Sequence, residues 1–124
     1  MAAGDVLLSF SSPSSTPVGL AWDGRRLWHC DAATVKIYLL DPTDGSVLKS
    51  FSSPGSGSRG LTWDGRRLWH SDYDANKIYL LDPADGTVIK SFSSPGVGPQ
   101  ALAWDGRRLW HCDSSTHKIY LLEV

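Results

Sequence analysis

The sequence predicts an all-β protein built from one short unit that occurs three times. The stretch Trp-Asp-Gly-Arg-Arg-Leu-Trp-His begins at Trp22, Trp63 and Trp104, so the unit is 41 residues long. Aligning residues 10–50 with residues 51–91 leaves 13 differences and needs no insertion. Such similarity at a fixed period indicates duplication, either recent or engineered. It favours a fold that stacks equivalent units on one another.

Each unit is predicted to contain four short strands separated by turns. In the first unit the predicted strands are residues 18–22, 26–31, 36–40 and 46–52. They are rich in Trp, Tyr, Ile, Val and Leu, which favour strands. Turns are marked by Asp23-Gly24 and by Asp41-Pro42-Thr43-Asp44-Gly45. Proline fixes φ early in a turn, and glycine accepts the positive φ that ends one.

The length of the repeat points to a β-propeller. Sandwiches, barrels and propellers all use short strands at even spacing, but strict repetition favours equal sheets packed on one another. A period of 41 residues matches the roughly 40–45 residues of a four-stranded propeller blade. The predicted blades cover residues 18–52, 59–93 and 100–124 of a single unit that spans residues 1–124.

The repeat also resembles blades of the NHL and YVTN-type propellers. The resemblance rests on Gly-Leu-(Ala/Thr)-Trp-Asp-Gly, on Leu-Trp-His-x-Asp and on Lys-Ile-Tyr-Leu-Leu-Asp-Pro, and it covers nearly the whole chain. The Trp-Asp strand end of WD40 blades is not reproduced, because Trp22-Asp23 precedes a glycine turn. The resemblance implies the fold but little about function, since such folds host enzymes, binders and scaffolds.

Three blades predict that a second chain completes the ring. Propellers hold roughly 4–8 blades, so three blades would leave two apolar faces in water. Residues 5–11 align with the fourth strand of the unit although no unit precedes them, and the third unit stops after its third strand. We therefore expect a homodimer of six blades, with strand exchange at the closure, in which residues 5–11 form the outer strand of the partner's last blade. A trimer of nine blades is the alternative.

Composition and charge narrow the classes of partner. Twelve basic and thirteen acidic residues leave a net charge of −1, which predicts no attraction to nucleic acid or to an anionic membrane. With no visible signal peptide or span-length apolar run, a cytoplasmic location is expected. Cys30 and Cys112 lack the spacing of metal ligands, so buried free thiols are expected, and no metal or cofactor is predicted.

One histidine occurs at the same position of each blade. A ring of histidines could bind a metal or move protons. However, a site needed once per molecule has no reason to recur in every blade, whereas a requirement of the fold does. We therefore predict that His29, His70 and His111 are structural residues packed in their strands. Each is expected to be hydrogen-bonded to a neighbour such as Asp31, Asp72 or Asp113.

The copies differ mainly in two loops, which an up-and-down blade places on one face of the disc. These are the loop entering the first strand and the loop between the second and third strands. Loops around a channel mouth commonly contact ligands, so their variable positions are binding candidates; neutral drift in tolerant loops is the alternative. The candidates are Arg59, Tyr73, Asp74, Asn76, Gln100 and His117.

The predicted function is a non-catalytic scaffold or binding module that assembles into a closed ring. Its ligand, whether a small molecule, a glycan or a protein, is left open by the sequence. No nucleophile triad, phosphate-binding glycine loop or calcium loop is recognisable. The resemblance also implies an alternative, because some similar six-bladed propellers are hydrolases or lyases. The alternative function is an enzyme with its site at the channel mouth.

Overall fold

The computed structural model describes residues 2–124 and consists of strands, turns and loops. Residue 1, where the predicted unit begins, lies outside the described residues. The strands are β1 (Pro17–Trp22), β2 (Leu27–Asp31), β3 (Lys36–Leu40), β4 (Val47–Ser52), β5 (Ser58–Trp63), β6 (Leu68–Asp72), β7 (Lys77–Leu81), β8 (Val88–Ser93), β9 (Pro99–Trp104), β10 (Leu109–Asp113) and β11 (Lys118–Leu122). The predicted bounds in the first unit differ from these by one residue or none.

The strands form three antiparallel sheets, which are the predicted propeller blades. Strands β1–β4 make blade 1, strands β5–β8 make blade 2, and strands β9–β11 make blade 3, which has three strands among the described residues. Every strand pairs with the next one in the chain, so each blade runs up and down from an inner strand to an outer one. The inner strands β1, β5 and β9 lie side by side around a common axis.

The hydrophobic core lies in two seams between consecutive blades. Each blade has a forward face, which covers the following blade, and a backward face, which covers the preceding one. In the first seam, the forward face of blade 1 contributes Ala21, Trp28, Cys30, Ile37 and Leu39, and the backward face of blade 2 contributes Leu61, Leu68, Tyr79 and Leu81. The second seam repeats this arrangement with Trp69, Ile78 and Leu80 of blade 2 against Leu102, Trp104, Leu109 and Leu122 of blade 3.

A carboxylate closes the first hairpin of every blade. Asp23 Oδ1 accepts hydrogen bonds from the backbone N–H groups of the two arginines that follow Gly24, at 2.9 and 2.8 Å. Its Oδ2 accepts from Nε1 of Trp28 at 3.0 Å. The same bonds recur at Asp64 and Asp105. One aspartate thus holds the turn and orients the tryptophan that fills the forward face.

Residues 5–11, predicted as an outer strand, form no strand in the single chain. A strand needs an edge to pair with, and the edge of β3 is already occupied by β4. The side chains of Val6, Leu7 and Leu8 are exposed. The ring of Phe10 lies directly on Gly45, where a Cβ atom would overlap it. The pairing of this segment with a second chain stays a prediction.

The inner strands approach so closely that the seam between blades 2 and 3 requires a glycine. Ser71 Oγ accepts from the N–H of Gly60 at 2.8 Å and donates to the carbonyl oxygen of Gln100 at 2.5 Å. A Cβ atom on Gly60 would overlap that carbonyl oxygen. In the first seam the Sγ of Cys30 replaces the serine and lies 3.8 Å from the carbonyl oxygen of Arg59. The seam between blades 1 and 2, which contains the bulkier sulfur, is therefore wider than the seam between blades 2 and 3.

We expect Gly60→Ala to lower the free energy of unfolding by about 1–3 kcal/mol, because a backbone carbonyl cannot turn aside as a side chain can. Urea unfolding followed by tryptophan fluorescence measures the change. Thr62→Ala, in the same strand, is the matched control, since Ala21 and Ala103 occupy its position in the other blades. Equal stability of Gly60→Ala and the unmodified chain would contradict this account of the seam.

Candidate functional site

The inner strands surround a cleft of about 280 Å³ on the common axis. Each of β1, β5 and β9 contributes three equivalent residues to its wall. They are Val18, Gly19, Leu20, Arg59, Gly60, Leu61, Gln100, Ala101 and Leu102. Most of this wall is backbone and small or apolar side chains. Arg59 is the one charged residue that lines it within residues 2–124.

A β-bulge in each inner strand determines which side chain lies at the mouth of the cleft. In β1, Pro17 pairs with Asp31 and Gly19 with Cys30, so Val18 is an extra residue in the ladder. The register shifts at the equivalent place in β5 and β9, around Arg59 and Gln100. Bulges re-aim side chains and break the pairing locally. The residue at the bulge differs in every blade: it is Val18 in blade 1, Arg59 in blade 2 and Gln100 in blade 3. The bulge places this residue at the mouth of the cleft.

Arg59 and Tyr73, two of the binding candidates, contact each other. The guanidinium carbon of Arg59 lies 5.0 Å from the centroid of the Tyr73 ring, which is within the range of a cation–π interaction. Its Nη1 donates to the carbonyl oxygen of Ser58 at 3.3 Å. Across the described part of the chain, the one ion pair joins Arg108 to Glu123. The charge of Arg59 is thus positioned without a carboxylate beside it.

Asp74 and Gln100 are each tied to a neighbouring loop. Asp74 Oδ2 accepts a hydrogen bond from the hydroxyl of Ser56 at 2.6 Å. Gln100 Nε2 donates to Ser114 Oγ at 3.3 Å. Of these two, Gln100 lines the cleft and Asp74 does not. The structure therefore brings Arg59 and Gln100 to one opening, with Tyr73 supporting the arginine.

Asn76 and His117 hold a backbone conformation and lie outside the cleft. Their φ angles are 54° and 59°, and Val35 has 56° at the same position of blade 1. This left-handed region is uncommon outside glycine, and asparagine is enriched in it. Oriented to suit its neighbours, the amide of Asn76 donates to the carbonyl oxygens of Tyr73 at 3.1 Å and Val97 at 2.9 Å. These contacts give Asn76 a part in shaping the loop that carries Tyr73.

The repeated aspartates anchor the variable loops through backbone N–H groups. The carboxylate of Asp31 accepts from three of them, those of Thr16, Ala33 and Thr34, at 3.1, 2.8 and 3.0 Å. Asp72 and Asp113 make corresponding bonds in blades 2 and 3. Burial alone would raise the pKa of Asp31, but these N–H groups outweigh it, so the pKa lies below its ordinary value.

Each of the three repeated histidines is buried and is hydrogen-bonded to a backbone carbonyl oxygen rather than to the aspartate suggested as its neighbour. The Nδ1 atoms of His29, His70 and His111 lie 2.9, 2.9 and 3.1 Å from the carbonyl oxygens of Gly19, Gly60 and Ala101. A carbonyl only accepts, so Nδ1 carries the proton. The three Nε2 atoms are buried and have no hydrogen-bond partner in the described chain. With the proton on Nδ1, each neutral imidazole has Nε2 as an acceptor, and an ionised carboxylate has no proton to donate to it.

Burial keeps the imidazole of His70 neutral and the thiol of Cys30 protonated at neutral pH. It lowers the pKa of His70 to about 4. It also raises the pKa of Cys30 to about 12, with the Asp31 charge adding to the effect. Both cysteines are free thiols; Cys112, expected to be buried, is partly exposed because it lies on the uncovered forward face of blade 3. No group of three or more His, Cys, Asp or Glu residues within 2–124 is arranged to hold a metal ion.

The described residues include no helix of the length and apolar character that crossing a bilayer requires.

Comparison with solved structures shows the β-propeller fold. A catalytically inactive variant of virginiamycin B lyase from Staphylococcus aureus, determined with quinupristin, matches 99% of this chain with a TM-score of 0.75 and 21% identity. Glutaminyl cyclase from Myxococcus xanthus matches 84% with a TM-score of 0.70 and 16% identity. The chain spans 44% and 46% of those two proteins, which is about half of their length. At these identities the likeness concerns the fold alone.

A third similar structure has nearly the same length as this chain. The computationally designed Ika4 protein aligns over 98% of this chain and 99% of its own, with a TM-score of 0.59 and 13% identity. No family model and no curated protein matches the sequence. The resemblance to NHL and YVTN-type blades therefore stays a prediction. Because these similar folds include both enzymes and a designed protein, the fold does not determine the function.

We expect stability to fall between pH 6.5 and 4 because of His70. Its pKa is about 4 in the folded protein against an ordinary value of 6.5, so the unfolded chain binds the proton first. Stability is then complete above pH 6.5 and decreases toward pH 4, by at most about 3 kcal/mol. Urea unfolding at several pH values measures this slope.

His70→Gln should flatten that slope, since glutamine keeps an N–H donor for the carbonyl of Gly60 and does not titrate. His111, whose pKa burial also lowers, accounts for a remaining slope. His117→Asn is the control: the side chain is exposed, and Asn76 occupies the same position in blade 2. Unchanged pH dependence in His70→Gln would refute the assignment.

Proposed function

We propose that the chain is half of a ring-shaped scaffold, in which two copies close a six-bladed β-propeller and present their loop face as a binding surface. The proposal is carried by one observation. The two blade faces that have no neighbouring blade in the single chain have the same residue types as the two faces that pack together inside it, and each leaves large apolar side chains exposed. The occupant of each uncovered face is therefore a second copy of the chain.

The forward face of blade 3 is apolar and open to solvent. Ile119 is 75% exposed, although its equivalents Ile37 and Ile78 are 0% exposed. Trp110 and Leu121 on the same face are also exposed. In blades 1 and 2 this face lies against the next blade. The residues are those of a seam, and the single chain has no blade to cover them.

The backward face of blade 1 also exposes apolar side chains that are covered in the other blades. Leu20 is 63% exposed, whereas its equivalent Leu61 in blade 2 is 4% exposed. Trp22 is exposed as well; its equivalent Trp63 stacks on Trp28 with ring centroids 6.4 Å apart. Blade 3 of one copy packed on blade 1 of another would reproduce a contact that the chain already makes twice.

The number of blades favours two copies. Propellers contain roughly 4–8 blades, so two chains give a count within that range and three chains give nine, outside it. A twofold axis along the channel makes both seams between chains identical. Each apolar square ångström removed from water then contributes about 25 cal/mol. An open arc of three blades forgoes that contribution on two faces.

The segment around Phe10 lies where the outer strand of a preceding blade would lie. Phe10 sits on Gly45 of blade 1 in the way that Phe51, in strand β4, sits on Gly86 of blade 2. In the ring, the blade that precedes blade 1 is blade 3 of the partner. The outer edge of β11 in that blade has no paired strand among the described residues. We propose that residues 5–11 pair with that edge.

The repeat specifies the register of this exchanged strand. Ile37 pairs with Phe51, and Ile78 pairs with Phe92. The equivalent pair at the closure is Phe10 with the partner's Ile119. Pairing there would satisfy the backbone groups of an open sheet edge, and the Phe10 ring would join the exposed forward face of blade 3.

The seam that would close the ring lies between blade 3 of one copy and blade 1 of the other. This closing seam differs from the internal seams at one position. Ala101 stands where blades 1 and 2 have Gly19 and Gly60. In the seam that contains Ser71, a Cβ atom on Gly60 would overlap the facing carbonyl oxygen of Gln100, whereas in the seam that contains Cys30 a Cβ atom on Gly19 would lie 3.1 Å from the facing carbonyl oxygen of Arg59. That Cβ atom would also lie 2.7 Å from Cys30 Sγ, so the thiol would have to rotate away from it. Cys112 aligns with Cys30, so we expect the closing seam to be of the wider, cysteine type, which leaves more room for the alanine.

Ile119→Lys should weaken self-association at least 100-fold, because the change places a charge in both seams that close the ring. Sedimentation equilibrium measures the association constant. Ile89→Lys, on the exposed outer strand β8, is the matched control and should associate like the unmodified chain. Self-association of Ile119→Lys at the unmodified level would exclude this face as the interface.

A disulfide between chains tests the exchanged strand. The background carries Cys30→Ala and Cys112→Ala, which removes both thiols without placing a serine beside Ala101 in the closing seam. A chain with both Phe10→Cys and Ile119→Cys should give a covalent two-chain product under oxidation, because opposed strand residues have Cα atoms roughly 4.5–5.5 Å apart. Non-reducing electrophoresis detects it. Phe10→Cys with Ile89→Cys is the control. Equal cross-linking in both, or none in the first, would refute the strand exchange.

A further inference from the structure

We infer that the channel mouth of the ring binds a small dianion, with one carboxylate or phosphate group on the guanidinium of Arg59 from each chain. The inference rests on the proposed two-chain ring, and it names the ligand class for its loop face. It is carried by the placement of Arg59: a positive charge at the opening of a cleft whose other side chains are uncharged, without an acidic partner in the described residues.

The first step is that Arg59 faces the channel for a structural reason. The bulge between Ser58 and Leu61 removes Arg59 from the regular ladder of β5. Bulges of this kind re-aim a side chain and often lie beside functional sites. Blades 1 and 3 have Val18 and Gln100 at the position equivalent to Arg59. Blade 2 is thus the one blade of the chain that brings a charge to the channel.

The second step is that the guanidinium is preorganised and still has donors to offer. The Tyr73 ring supports it at 5.0 Å, and one donor, Nη1, contacts the carbonyl oxygen of Ser58. A guanidinium has five N–H donors in a fixed fork, which suits the paired oxygens of a carboxylate or phosphate. Asp74, the nearby acid in the sequence, accepts from Ser56 and makes no ion pair with Arg59.

The third step concerns the symmetry of the ring. A twofold axis along the channel places the second Arg59 on the opposite blade of the six, so the two Arg59 residues lie across the axis from each other at one opening. Gln100 from each chain lies between them and adds an amide donor. Two cations that flank one opening favour a ligand with negative charge at both ends. A polyanion such as nucleic acid is disfavoured by the net charge of −1 per chain.

The test is isothermal titration calorimetry of the full chain with succinate, and separately with inorganic phosphate. We expect saturable binding of one succinate per two chains, weakened by added salt. Arg59→Val and Arg59→Gln should each reduce the affinity at least tenfold. Both replacements already occur at this position, as Val18 and Gln100, so neither should disturb the fold. Arg66→Gln, in a turn on the opposite face, is the charge-matched control and should bind like the unmodified chain.

Light scattering on the same samples separates this inference from the ring itself. A two-chain mass without saturable binding of either probe would overturn the anion site and leave the ring standing. Binding that Arg59→Val does not weaken would also overturn it. Two phosphate ions per ring, with succinate no tighter than phosphate, would refute the bridged dianion. A single-chain mass would refute the ring, and with it the bridging of two arginines.

Discussion

The contact of one apolar blade face with the next is the interaction on which the rest of this structure depends. A blade made of Leu-Trp-His and Lys-Ile-Tyr-Leu-Leu strands is apolar on both sides, and its own hydrogen bonds leave both sides uncovered. Blade 2 is satisfied because it has a neighbour on each side. The exposure of Ile119 on one flank and Leu20 on the other shows what the same sequence does without a neighbour.

A second, polar constraint holds the turns and loops at the two ends of each blade. Asp23 and its equivalents fix the hairpin turn on one side of the disc. Asp31 and its equivalents gather the N–H groups of the loops on the other side. Between them, His29 bonds the carbonyl released by the bulge. Because these groups satisfy the backbone locally, the loop residues between them are free to differ among the blades, and those differences form the candidate site.

The fold could be predicted from the sequence because both of its determinants are local and repeated. Turn residues such as Asp23-Gly24 bound the strands, and the period of 41 residues gives the blade. Among the predicted binding candidates, Arg59 and Gln100 line the cleft, and their binding of a ligand stays a prediction. The coarse architecture therefore required no information beyond composition, turns and repetition.

What the sequence did not predict depends on contacts between distant backbone groups. His29 and Asp31 lie on one side of a strand, which suggested a bond between them, but the bulge at Val18 presents a backbone carbonyl to the histidine instead. Bulges have no reliable sequence signature, so neither that bond nor the aim of Arg59 could be derived. The contact of Phe10 with Gly45 was likewise not predicted, although the phenylalanine recurs at Phe51 and the glycine at Gly86, where the same contact is made.

The mass of the unmodified chain in dilute solution tests the central claim most directly. Light scattering should give about 27 kDa, twice the 13.5 kDa of one chain, and this value should persist on dilution until the chains unfold. A compact, folded species of 13.5 kDa would show that the open faces of blades 1 and 3 are tolerated in water. That result would contradict the account of a ring closed by two copies.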